Sequence, residues 1–174
     1  MGFPGGWMVT KGYFPGVVGK VIELHATYYH AHWGFDVSFE TQEGRELCDF
    51  IGRFREGVDF FRTALVERTF AGAIAIDAGP HPEEGVRLRW FIVDPRFQGK
   101  GIGRRLLEEA MSFCTTAGYG RVYLWTFRGL EAAHHLYHIA GFRLAEEREV
   151  AQWGQSIREQ MFEMIHQGRA SGDY

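Results

Sequence analysis

The stretch VRLRWFIVDPRFQGKGIGRRLLEEA, residues 86–110, constrains this chain more than any other. Its first eight residues are rich in β-branched and aromatic side chains and read as a strand, which Asp94-Pro95 brings to an end. Gly99, Gly101 and Gly103 follow at alternate positions and mark a tight turn. Beyond them Leu106, Leu107, Ala110, Met111, Phe113 and Cys114 fall on one face of an amphipathic helix over residues 103–117, stopped by Gly118. Where a strand turns into a helix through glycines, the first helical N–H groups lack intrahelical partners and the helix dipole favours negative charge in front of them. The junction is suited to an anion such as a phosphate.

Two common phosphate layouts do not fit. The nucleotide P-loop needs G-x-x-x-x-G-K-[ST], whereas Lys100 here sits between two glycines. The dinucleotide fingerprint G-x-G-x-x-G needs glycine where Arg104 stands, and an acidic residue at the end of the next strand, where Thr126, Phe127 and Arg128 occur.

The rest of the chain alternates between strand and helix patterns. Residues 7–11 read as a first strand, and Pro15-Gly16 opens a helix with Val17, Val21, Leu24 and Tyr28 on one face, ending near Trp33-Gly34. A second helix is predicted over residues 45–54, closed by Gly57. Residues 60–67 and 70–77 read as antiparallel strands, and residues 78–85 as a loop. After the glycine turn come a strand over residues 121–127, a helix over 130–139 stopped by Gly141, and strands near 142–150 and 157–164. The expectation is a mixed α/β fold in one domain covering residues 1–174, with a core of about 7–164 and a mobile polar tail from 165 to 174.

Bulk properties narrow the function. A chain of 174 residues with 45% apolar content can bury a proper core, and a formal net charge of −3 gives no overall pull toward nucleic acid or anionic membrane. No apolar run approaches the roughly 18 residues of a membrane span, and the first residues lack a signal-peptide core. These features predict a cytoplasmic protein with no nucleic-acid or membrane partner. Cys48 and Cys114 lack metal-ligand spacing and read as free thiols.

The motif VDPRFQGKGIGRRLLEEA resembles the acetyl-CoA signature of the GNAT N-acetyltransferase superfamily, Q/R-x-x-G-x-G/A, filled by Gln98, Gly101 and Gly103. Downstream, AAHHLYHIAGF is similar to the superfamily's later helix, with its Leu-Tyr pair and closing Gly-Phe. The resemblance implies a GNAT fold: a central mixed, mostly antiparallel sheet of six to seven strands, splayed in the middle and flanked by about four helices. It implies acetyl-CoA as co-substrate and no metal. The backbone of Phe91, Ile92 and Val93 would pair with the pantetheine amides, while Gln98, Gly99, Lys100, Gly101, Ile102, Gly103 and Arg104 would surround the pyrophosphate, with Arg104 or Arg105 adding charge. Tyr137 occupies the position of the superfamily's thiolate-protonating tyrosine.

Two departures stand out. Relatives often carry a glutamate base on the strand before the glycine turn, where this chain has Arg87 and Arg89, and an asparagine where Leu130 stands. Strict alternation would put Arg87, Arg89, Phe91 and Val93 on one face. Arg89 could then grip an acceptor's carboxylate, or else pair with a buried acid. The proton would have to go to a water chain or to Glu23, His25 or Glu40. Tyr28 and Trp33, with Tyr29, His32 and Phe35, are candidate walls of an acceptor pocket. His134, His135 and His138 read as solvated or tail-contacting rather than metal-binding. The reading is an N-acetyltransferase for a small, carboxylate-bearing amine such as an amino acid; the alternatives are a protein N-terminal or lysine acetyltransferase and a non-catalytic acyl-CoA sensor. Many members of the superfamily dimerise, so a homodimer is compatible with it.

Overall fold

The computed structural model describes residues 7–165. Seven strands form one sheet in the order β1-β2-β3-β4-β5-β7-β6. They are β1 (Trp7–Lys11), β2 (Phe60–Val66), β3 (Thr69–Asp77), β4 (Val86–Val93), β5 (Arg121–Phe127), β6 (Arg143–Gln152) and β7 (Gln155–Ile165). The helices are α1 (Val17–Trp33), α2 (Val37–Gly52), α3 (Ile102–Ala117) and α4 (Glu131–Ile139), with a 3-10 turn over Pro95–Phe97. This is the mixed, mostly antiparallel sheet with four helices that the resemblance implies. Ile165 still belongs to β7; the rest of the expected tail, residues 166–174, lies outside the described residues.

Alternation along β2 and β3 assigns the two faces of the sheet. Ala64, Ile74 and Ile76 join Leu106, Leu107 and Ala110 of α3 and Tyr137 of α4 in one core. Phe61, Ala73 and Ala75 join Val17 and Val21 of α1 and Leu47 and Phe50 of α2 in the other. A third cluster, Phe35, Phe39, Phe127 and Ile157, fills the corner between the α1–α2 junction and the β6–β7 hairpin. The Asp36 N–H donates to the Trp153 carbonyl there at 3.1 Å, and the Trp153 indole donates to Gln42 Oε1 at 3.0 Å.

α2 begins at Val37, two turns before the predicted residue 45, and ends at Gly52 rather than residue 54. Asp36 caps it, its carboxylate accepting from the Ser38 N–H at 2.9 Å, and Glu40 sits in the first turn. The stretch VSFETQEG carries only Val37 and Phe39 as apolar signal and a mid-helix Gly44, so periodicity alone missed it.

Candidate functional site

β4 carries the main irregularity of the sheet. Ala75 pairs with Arg89 but Ala73 pairs with Ile92, so Trp90 and Phe91 together oppose Ile74. Trp90 absorbs the extra residue with φ of 46°, a left-handed conformation that costs a bulky side chain about 1–3 kcal/mol. Across the bulge, Gly72 lets the strands close: a Cβ there would stand 2.5 Å from the Ile92 carbonyl oxygen.

The bulge overturns the expectation that Arg87, Arg89, Phe91 and Val93 share one face. Trp90 packs in the α1–α2 core, and the Arg89 guanidinium lies 4.1 Å from the centroid of its ring. Phe91 and Val93 instead pack on the α3–α4 side, where both approach Gly103. An extra residue in the strand reverses every side chain beyond it.

β4 and β5 run parallel and pair only at Val86 with Val122 and Arg87 with Tyr123, after which they splay. Backbone groups of Phe91 to Val93 on the β5 side therefore border a gap rather than a neighbouring strand. A cavity of about 830 Å³ occupies this gap. At one end it is lined by Phe91, Ile92 and Val93 and by Gln98, Gly99, Gly101, Ile102, Gly103 and Arg104, the residues expected to meet the coenzyme. Lys100 is not among the lining residues; its ammonium sits 5.3 Å from the Phe97 ring centroid.

Gly101 precedes α3 with φ of 80°, a conformation that favours glycine, and no protein atom lies within 4 Å of where its Cβ would be. The turn thus presents bare backbone and the free N–H groups of the first turn of α3. Gln98 Nε2 donates to the Val93 carbonyl at 3.0 Å, closing the end of β4. Arg104 and Arg105 pair with Glu108 and Glu109 one helical turn on, at 2.9 and 2.7 Å.

Tyr137 lines the middle of the cavity, its ring centroid 6.0 Å from that of Phe91. Burial pushes its phenol well above the ordinary tyrosine range, so it is protonated at neutral pH. The far end is walled by Tyr28, Tyr29 and His25 of α1, Gln42, Glu43 and Glu46 of α2, Arg87 and Arg89 of β4, and Trp153 and Glu159 of the hairpin. Trp33 is not part of that lining; its indole packs against Phe127 and Gly129 and supports the wall from behind. Of the other residues considered as proton acceptors, Glu23 and Glu40 do not line the cavity and His25 does.

Arg89 is held by protein acids. Its guanidinium is paired with Glu46 and lies 3.6 Å from the Asp77 carboxylate, which also pairs with Arg53 at 2.7 Å. Burial lowers the Arg89 pKa, opposed by the Glu43 charge. Arg87 faces the same cavity with its Nε buried and without a hydrogen-bond partner.

Reading residue patterns alone missed Glu43. Extending α2 back to the Asp36 cap would have found it, because Phe39, Glu43 and Leu47 then repeat at i, i+4 on the inward face. Of the histidines of α4, His135 and His138 are exposed as expected, whereas His134 is half-buried; the His134 and His138 rings lie 5.2 and 5.8 Å from that of Phe162. Among the described residues no group of three or more His, Cys, Asp or Glu could hold a metal ion, and no helix is long and apolar enough to cross a membrane.

Residues 20–142 match the Acetyltransferase (GNAT) family. The N-acetylaspartate synthetase of Danio rerio is 34% identical over 144 residues, which cover 82% of this chain and 51% of that protein. The Homo sapiens N-acetylaspartate synthetase is 37% identical over 84 residues, 48% of this chain and 27% of that protein. N-alpha-acetyltransferase RimI of Mycobacterium tuberculosis is 49% identical over 51 residues, 29% of this chain and 30% of that protein. The chain spans about half the length, or less, of these relatives. An acetyltransferase from Streptococcus agalactiae shares the fold with a TM-score of 0.73 at 18% identity, covering 92% of this chain and 99% of that one. So does a putative acetyltransferase from Salmonella typhimurium solved with acetyl-CoA, with a TM-score of 0.71 at 16% identity, covering 97% and 98%. The family match runs from α1 to the turn after α4, through both ends of the cavity, and this chain belongs to the acetyl-CoA-dependent GNAT acetyltransferase family.

Proposed function

We propose that this protein transfers an acetyl group from acetyl-CoA to the amine of a small molecule bearing a carboxylate, an amino acid being the leading case. The observation that carries the reading is the continuity of the cavity: one space joins the glycine turn, the splayed edge of β4, Tyr137 and Arg87, whose buried Nε has no hydrogen-bond partner. Its volume of about 830 Å³ lies within the range of small-ligand sites.

In this reading the pyrophosphate rests on the N-terminus of α3, with Gln98 to Arg104 around it, and the pantetheine amides pair with Phe91 to Val93. The thioester then reaches the bulge, where a β4 backbone N–H polarises its carbonyl. The acceptor amine attacks the carbonyl carbon, the C–N bond forms and the C–S bond breaks. Tyr137 donates its proton to the departing thiolate. The acceptor's carboxylate goes to Arg87 rather than Arg89, because two protein carboxylates already hold Arg89. The similarity to N-acetylaspartate synthetases supports amino dicarboxylates as the first acceptors to test.

The test is acetyl-CoA-dependent thiol release across amino acids, their decarboxylated amines and peptides. Amino acids should turn over and the decarboxylated amines should not. Arg87→Leu should raise KM for the amino acid at least about tenfold, the loss of one charge-assisted pair, with acetyl-CoA affinity unchanged. The similarity to RimI supports a protein N-terminus as the competing acceptor, and turnover of peptides alone would establish it instead. Coenzyme binding without release from any amine would leave an acyl-CoA sensor.

A further inference from the structure

We propose that Glu43 is the general base of the reaction, taking the proton from the acceptor's ammonium group before attack. This rests on the transfer reading above and assigns a residue to the step that the arginines of β4 cannot perform. Glu43 projects from the inward face of α2 into the acceptor end of the cavity. It stands beside Trp90, the residue that forms the bulge, whose buried indole N–H lies near its carboxylate without a well-formed hydrogen bond. The bulge is also where the thioester carbonyl is aimed. Tyr137 approaches the same point through its contact with Phe91. Tyr29 of α1 lines the same cavity, within electrostatic reach of both Glu43 and the Tyr137 phenol. A base and an acid thus converge on one irregularity of one strand.

The other acids near this end of the cavity are engaged. Glu46 is held by Arg89, Asp77 by Arg53 and Arg89, and Glu159 of β7 by Arg148 at 2.8 Å. Glu131 is exposed on the first turn of α4. Among the described residues Glu43 makes no salt bridge, so its carboxylate remains available to an incoming ammonium. Desolvation raises its pKa above the ordinary range, while Arg89 and Arg87 of β4 and the Trp90 indole pull it down. The net rise makes it a better proton acceptor than an exposed glutamate. His25 is the weaker candidate. Burial lowers it to about 4, and its Nδ1 donates to the Val21 carbonyl at 2.8 Å.

The nitrogen must lose two protons, and both have destinations. The first passes to Glu43 and on to solvent, freeing the lone pair for attack. The second leaves the tetrahedral intermediate as the C–S bond breaks and replaces the proton that Tyr137 gives to the thiolate. The products are the amide, the free thiol of the coenzyme and one proton released.

The experiment compares the wild-type protein with Glu43→Gln on two acceptors: the best amino acid from the screen, and a carboxylate-bearing hydrazide whose nucleophilic nitrogen is already neutral at pH 7. With the amino acid, kcat/KM should fall about 100-fold, and the acid limb of its pH profile that belongs to Glu43 should vanish. With the hydrazide, the two proteins should agree within about threefold, and acetyl-CoA affinity by calorimetry should not change. Equal losses with both acceptors, or an unaltered pH profile, would overturn the assignment while leaving the transferase reading intact. A wild-type protein that turns over no amine sinks the transferase reading and this one with it. Glu43→Asp carries the test if the Gln variant does not fold: the acid limb should persist at a rate about tenfold lower, and a wild-type rate would overturn the role.

Discussion

At the glycine-turn end of the cavity the expected coenzyme contacts lie between Phe91 and Arg104, a single short run of chain with Leu136 of α4 beside Gly103; the far end is built from α1, α2, β4 and the β6–β7 hairpin. The first end is backbone: a strand edge, a glycine turn and a helix N-terminus. The second is made of side chains whose partners lie far away in sequence, such as Arg89 with Glu46 and Trp153 with Gln42. Backbone recognition tolerates side-chain change, because any residue supplies an N–H, and fails only where the chain path itself is disturbed. Side-chain recognition shifts with each substitution on any of four elements. One fold can therefore keep its donor while changing its acceptor.

The largest effect should come from disturbing that path. Gly101→Val forces a β-branched side chain into a left-handed position and sets it beside the cavity. Acetyl-CoA affinity should fall at least about 1,000-fold by calorimetry while the protein remains folded by circular dichroism, since the strain costs only about 1–2 kcal/mol. Unchanged affinity would break the distinction between the two ends. The next effect lies between them. Tyr137→Phe should lower kcat by about 100-fold and leave acetyl-CoA affinity within about twofold, the signature of an acid used in the transition state. Equal activity would reduce Tyr137 to packing in the α3–α4 core.

The smallest effect sharpens the contrast in stability. His25 belongs to the acceptor wall and is neutral because burial lowers its pKa to about 4. The unfolded chain binds a proton there near pH 6.5, so protonation favours unfolding. The contribution is complete above about pH 6.5 and is lost progressively as pH falls toward 4. Between pH 7.5 and pH 5 this histidine should cost roughly 2 kcal/mol, or a Tm lower by about 4–8 °C. His25→Leu should flatten that dependence in a thermal melt, and an identical slope would show that other groups dominate acid unfolding.

The glycine-turn end of the cavity was legible because its signals are local. Gln98, Gly101 and Gly103 sit where the chain path needs them, and the apolar face of α3 announced its own helix. The acceptor end was read less well. The start of α2 was missed, Trp33 turned out to support the wall rather than line it, and Glu43 had no signal until the Asp36 cap set the helical register. Arg89 illustrates the difficulty most directly. Alternation correctly put it on the face with Arg87, but its partner Glu46 lies 43 residues earlier on another element.

By itself the sequence determined that a strand enters a helix through glycines, that six further strands and three further helices pack around that junction, and that the turn suits an anion. Those outcomes follow from propensity, periodicity and the unpaired amides of a helix start, all of which act within a few residues. Only the tertiary structure decided where β4 bulges, which arginine is held by protein acids and which faces the cavity, and that a carboxylate from α2 stands beside Trp90. These depend on burial and on charge pairs between distant elements, whose energies exist only once the sheet and its two layers have closed.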